Sequence, residues 1–112
     1  MSQKVYLGID TSCYTTSAAL LAEDGSLLAE ARQILSVKPG RCGLQQSEMV
    51  FQHTRNLPRL VEEVFADKDF TLAAIGVSGY PRPLADSYMP AFLAGMSVAR
   101  SLAAAYKVPL EV

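Results

Sequence analysis

The 112 residues suffice for one domain and not for two. Half of them are apolar, and a net charge of −1 leaves no basic footprint for a phosphate backbone, which argues against a free-standing nucleic-acid-binding module. Two cysteines and one histidine, Cys13, Cys42 and His53, fall short of a disulfide framework or a zinc set.

Val5–Ile9 is aliphatic and β-branched and reads as a first strand that ends at Asp10-Thr11-Ser12. Thr15–Ala22 reads as a second strand, Asp24-Gly25 as a tight turn, and Leu27–Leu35 as a third strand. Together they predict an antiparallel meander. Val37–Gly43, with Pro39 and Gly40, is a loop. Ser47 is placed as a helix N-cap with Glu48 in the first turn. Val50, Leu57, Leu60, Val61 and Val64 then recur at helical spacing. Pro58 interrupts that pattern and is expected to kink the helix or to start a second segment. Glu62, Glu63, Asp67, Lys68 and Asp69 read as a solvated face rather than a paired acid–base site.

Thr71–Ser78 reads as a buried, parallel strand, and Gly79–Pro90, with Pro81 and Pro83, as a loop. Phe92–Lys107 is an Ala-rich helix, apolar nearly all round, and Pro109–Val112 opens a further strand. The order β-β-β-α-β-α-β defines an α/β domain with a mixed sheet. A strand opened at Pro109 should run on for several residues, so the chain reads as part of a longer protein. The charged fraction of 19%, below the roughly 25% usual for globular chains, also suggests surface covered by another domain or subunit. The first apolar run is too short for a signal-peptide core, and Met89–Tyr106 is broken by Pro90, Gly95 and Arg100. The expected location is the cytoplasm, with no membrane contact.

The chemistry-bearing stretch is Asp10-Thr11-Ser12-Cys13-Tyr14-Thr15-Thr16-Ser17. An acid at a strand end, followed by hydroxyls and free backbone N–H groups, can hold a hydrated divalent cation and a phosphate. The competing reading is a Ser/Thr or Asx turn with no ligand. No Walker A sequence and no Gly-x-Gly-x-x-Gly is present. Nothing in the sequence places His53 beside Cys13 as its base; Cys13 is expected to be a small buried hydrophobe and His53 a helix-surface or hydrogen-bonded packing residue. Ala91, Ala94, Gly95 and Ala99 would let another backbone approach the second helix closely, and its remaining apolar face should meet a second domain or a subunit.

The opening Tyr6-Leu7-Gly8-Ile9-Asp10-Thr11-Ser12-Cys13 resembles the start of the tRNA threonylcarbamoyladenosine synthase family, formerly called O-sialoglycoprotein endopeptidases or glycoproteases. The resemblance continues in order through Gln46-Ser47-Glu48, His53…Asn56-Leu57-Pro58, Ala74–Gly79 and Phe92–Ala103. It implies that residues 1–112 form the first of two ribonuclease-H-like domains of the actin/Hsp70/sugar-kinase (ASKHA) superfamily, the second being absent from this chain. It further implies a parent protein that transfers threonylcarbamoyl from its adenylate to N6 of the adenosine beside the anticodon. Such a parent would use a divalent metal (zinc, iron or magnesium) and an adenine nucleotide, and would meet tRNA only in the full-length complex.

On this resemblance Asp10, Thr11, Ser12 and Gly79 line the cofactor side of a cleft. No catalytic residue and no metal ligand is assigned, because the family's histidine pair follows the strand that opens at Val108. The 112 residues alone are therefore expected to be inactive and free of cofactor. Self-association, or pairing with a family partner, is expected through Phe92–Tyr106. Two departures, Tyr14 in place of an acid and Ser78–Pro83 in place of a Gly-Pro-Gly loop, support an alternative: a non-catalytic partner of the same fold. The metalloendopeptidase of the older family name is the least favoured reading, since no His-Glu-x-x-His is present.

Overall fold

Alternating burial in two adjacent strands sets the frame of the molecule. In the computed structural model, which describes residues 3–37, 45–78 and 90–112, β1 (Gln3–Asp10) buries Val5, Leu7 and Ile9. β2 (Thr15–Ala22) runs antiparallel to it and buries Thr16, Ala18, Leu20 and Ala22 on the same side. Period-two alternation of this kind is the mark of a sheet with one covered face. The turn between β2 and β3 (Leu27–Ile34) is the one foreseen: Gly25 takes φ +87°, and Ser26 donates its N–H to Asp24 Oδ1 at 2.9 Å.

α1 (Gln46–Phe65) and α2 (Phe92–Tyr106) contact each other and cover that one face. Leu57, Leu60 and Val64 of α1, with Ala99 and Ala103 of α2, close the core over Leu7, Leu20 and Ile75. β4 (Phe70–Val77) joins β1 in parallel, and the short β5 (Leu110–Glu111) joins β4 in parallel, giving the order β3-β2-β1-β4-β5. The mixed sheet and the element order match the sequence reading. Among the described residues no helix covers the other face, where Tyr6, Leu21, Ala74, Gly76 and Glu111 border an apolar hollow of about 340 Å³.

Three local expectations change. α1 begins at Gln46, with Gln45 in extended conformation as its cap, so Ser47 lies exposed inside the first turn rather than capping it. The Gln46 side chain is drawn toward α2, accepting the Ala91 N–H at Oε1 over 3.3 Å. Pro58 neither ends nor divides α1, which continues through it to Phe65. The ring sits on the exposed side, and the carbonyl it leaves without a donor, on Thr54, belongs to an exposed residue that water can reach. α2 is not sheathed all round: Phe92, Ala94, Gly95, Ala99 and Ala103 are buried, while Leu93 and Tyr106 are exposed. No helix among the described residues is long and apolar enough to cross a membrane.

Candidate functional site

Parallel pairing of β1 with β4 brings two distant residues to the same end of the sheet. Ser78, directly after β4, donates its N–H to the Ile9 carbonyl at 3.1 Å and its hydroxyl to Asp10 Oδ1 at 2.7 Å. The backbone N–H of Ser12 reaches the same oxygen at 2.8 Å. Partial burial alone would raise the Asp10 carboxyl, but the donors on Ser12 and Ser78 outweigh it and hold the group below its ordinary range. The result is a carboxylate, ionised at neutral pH, anchored by Ser12 and Ser78, at the carboxyl ends of two parallel strands, where α/β sheets hold their ligands.

Thr11 faces the other way. It is fully buried, its hydroxyl donating to the Ala91 carbonyl at 2.9 Å and accepting the Gly95 N–H at 3.3 Å. Gly95 is required by this approach: a Cβ there would stand 3.0 Å from Thr11 Oγ1 and 3.3 Å from both Ile9 Cγ2 and Val77 Cγ2. Of the triplet, then, Asp10 and Ser12 are open to solvent, and Thr11 fastens the turn to α2. Gly79 and Cys42 lie outside the described residues.

The turn is fastened to α1 as well. His53, fully buried, hydrogen-bonds the Cys13 carbonyl through Nε2 at 2.9 Å, so Nε2 carries the proton. Nδ1 therefore accepts, and the Thr16 hydroxyl donates to it at 2.7 Å. Asn56 Nδ2 in turn donates to Thr16 Oγ1 at 3.3 Å. Burial is the main cause that pushes the His53 imidazole below its ordinary value, ahead of the Cys13 carbonyl and the Asp10 charge, which pull it up. A neutral ring satisfied at both nitrogens is a packing residue, one of the two roles read for it from sequence.

Two readings of this region need correction. Cys13 is exposed rather than buried, because its strand has ended and the turn carries it into solvent. His53 does stand beside residue 13, but on its carbonyl oxygen, with both ring nitrogens already engaged. Thr16 and Asn56 stand in the stretches singled out in the sequence, but their shared buried network with His53 is not read there. Their signal was positional: Thr16 shares the buried face of β2 with Ala18, and Asn56 follows His53 by three residues on the buried stripe of α1. Glu62, Glu63, Asp67 and Asp69 are exposed, as a solvated face requires. No group of three or more metal-ligating side chains occurs among the described residues. Asp10 with neighbouring hydroxyls is therefore too small a donor set to hold a dehydrated metal ion by itself.

A five-stranded mixed sheet in this order, with two helices on one face, is the ribonuclease-H-like fold. Among solved structures, YeaZ from Pseudomonas aeruginosa matches with a TM-score of 0.66 at 18% identity, over 96% of this chain and 43% of that one. RuvC of Thermus thermophilus matches with a TM-score of 0.50 at 17% identity, over 95% of this chain and 61% of that one. No family model matches the sequence.

In sequence the chain is 30% identical over 110 residues to the probable mitochondrial tRNA N6-adenosine threonylcarbamoyltransferase of Caenorhabditis elegans, covering 93% of this chain and 24% of that protein. It is 32% identical over 105 residues to the tRNA N6-adenosine threonylcarbamoyltransferase of Nitrosospira multiformis, covering 93% of this chain and 30% of that protein. Over almost its whole length the chain is thus similar to a part of tRNA N6-adenosine threonylcarbamoyltransferases, and it spans between about a quarter and a third of the length of these two relatives.

Proposed function

We propose that this chain serves tRNA modification as the first ribonuclease-H-like domain of a threonylcarbamoyltransferase-like protein, with the Asp10 turn as its ligand-facing element. One observation carries the assignment of the site: Asp10 is an ionised carboxylate, anchored by Ser12 and Ser78, at the carboxyl ends of β1 and β4. The carboxylate suits a ligand donor or the hydration shell of a cation held elsewhere, and Ser12 adds a hydroxyl beside it. The described residues do not fit a metal on their own, and the adenine nucleotide and divalent metal of the parent reaction would rest on groups from another domain. In isolation the 112 residues are expected to be inactive.

The test is the N6-threonylcarbamoyladenosine content of tRNA, read by mass spectrometry in cells lacking the gene for this protein and complemented with wild type or Asp10→Asn. Loss on deletion, rescue by wild type and failure of Asp10→Asn would support the reading. Unchanged modification on deletion would refute it. Full rescue by Asp10→Asn would leave the fold in tRNA modification but favour the non-catalytic partner, a reading to which the consumption of the Thr11 hydroxyl in packing lends weight.

A further inference from the structure

β3 is an edge strand, and its outer side carries a pattern that reads the same from both ends. The Leu35 N–H bonds the Tyr14 carbonyl at 2.7 Å, so residues 35, 33, 31 and 29 point their backbone groups inward to β2. Glu30, Arg32 and Ile34 consequently turn theirs outward, away from β2, with no strand beyond among the described residues. All three are exposed, Ile34 to 71%, and neither Glu30 nor Arg32 has an ion-pair or hydrogen-bond partner among the described residues. An unpaired edge of this length invites another strand unless charges oppose it.

We infer that β3 pairs antiparallel with β3 of a second copy of this chain, about a two-fold axis through Ala31, joining two sheets into one. Only outward-pointing residues can exchange hydrogen bonds, so the axis must fall on a whole residue, and at the middle of the strand that is 30, 31 or 32. Centring on residue 30 sets Glu30 against Glu30, and centring on residue 32 sets Arg32 against Arg32; both place like charges directly opposite. Centring on Ala31 sets each Glu30 opposite the partner copy's Arg32, twice, on the sheet face away from the helices. The same register places Ile34 across from Leu28, at the bulge where β3 leaves the β2 register. Ala31 at the axis is small and buried beneath the sheet, so it does not obstruct the close approach of a non-hydrogen-bonded pair. The charges that block the registers centred on 30 and 32 thus favour the one between them. A strand-to-strand contact of seven residues a side, 28 to 34, is small, and the dimer should form at concentrations on the order of 100 μM.

Sedimentation equilibrium of the 112-residue chain at low salt, up to about 1 mM, tests the inference. The charge reversals Glu30→Arg and Arg32→Glu should each weaken association about tenfold, and Glu30→Arg/Arg32→Glu together should restore it to within about threefold. Amide exchange at Glu30, Arg32 and Ile34 should slow as concentration rises. A chain that stays monomeric throughout, or a double variant no better than either single one, overturns the inference. So does a dimer that ignores both reversals and is broken by Leu93→Glu on α2.

Discussion

Replacing Thr16 by Val tests whether the buried polar trio holds the turn. The exchange keeps shape and volume, so no cavity opens, but it removes an oxygen that both donates to His53 Nδ1 and accepts from Asn56 Nδ2. Thr16 and His53 are fully buried and Asn56 is 5% exposed, so water cannot take over. Each of the two stranded groups costs about 1–3 kcal/mol, which puts the loss at no less than about 2 kcal/mol against a total of about 5–15 kcal/mol. Urea unfolding reads this as a lower midpoint at unchanged slope, and heating as a fall in Tm of about 10–20 °C. Thr16→Ser, which retains the hydroxyl and loses one methyl, should cost about 1 kcal/mol. If Thr16→Val lies within about 0.5 kcal/mol of wild type, or does no more harm than Thr16→Ser, the network carries no stability and the argument fails.

Three other outcomes follow from the same geometry. The folded His53 titrates below its ordinary 6.5, so below that pH the unfolded chain takes up a proton that the native ring refuses. Stability should be level above pH 6.5 and fall as the pH drops toward the folded value, and a urea midpoint unchanged between pH 7.5 and 5 would contradict it. Gly95→Ala in an open helix would gain about 1 kcal/mol, but here the new methyl meets a Thr11 hydroxyl already tied to Ala91. A net loss of about 1 kcal/mol is expected by denaturant unfolding, and a gain would show that α2 can shift freely. Pro58→Ala restores a helix donor on an exposed face and should stabilise by about 1–3 kcal/mol, with a lower Tm as the contrary result.

What could be read in advance followed the range over which each signal acts. Asp24-Gly25 announces its turn because the Asp carboxylate and the Gly backbone act within three residues. Alternation in β1 and β2 announces a covered face, since each side chain's position depends on its own strand. Asp10 was singled out as an acid at a strand end, but its partner Ser78 lies 68 residues on and becomes its neighbour only when β1 and β4 pair. The Thr16–His53 contact spans 37 residues and depends on how α1 is rotated over the sheet. Pro58 misled because propensity disfavours it inside any helix, whereas the actual cost depends on whether water reaches the freed carbonyl. Cys13 misled because thiols are usually interior, and the turn geometry that exposes it is set by hydrogen bonds from two helices.

Those two fastenings bear on ligand capture. With Thr11 tied to α2 and the Cys13 carbonyl tied to α1, the backbone from 10 to 13 is already immobile before anything arrives. Freezing a residue costs about 1–2 kcal/mol of conformational entropy, and for these four that cost falls on folding rather than on association. On the function proposed above, a ligand at Asp10 would meet a carboxylate whose direction is set in advance, so discrimination there would rest on fit to a fixed shape, and the helices that bury the core would also keep that shape from adjusting to a poor match.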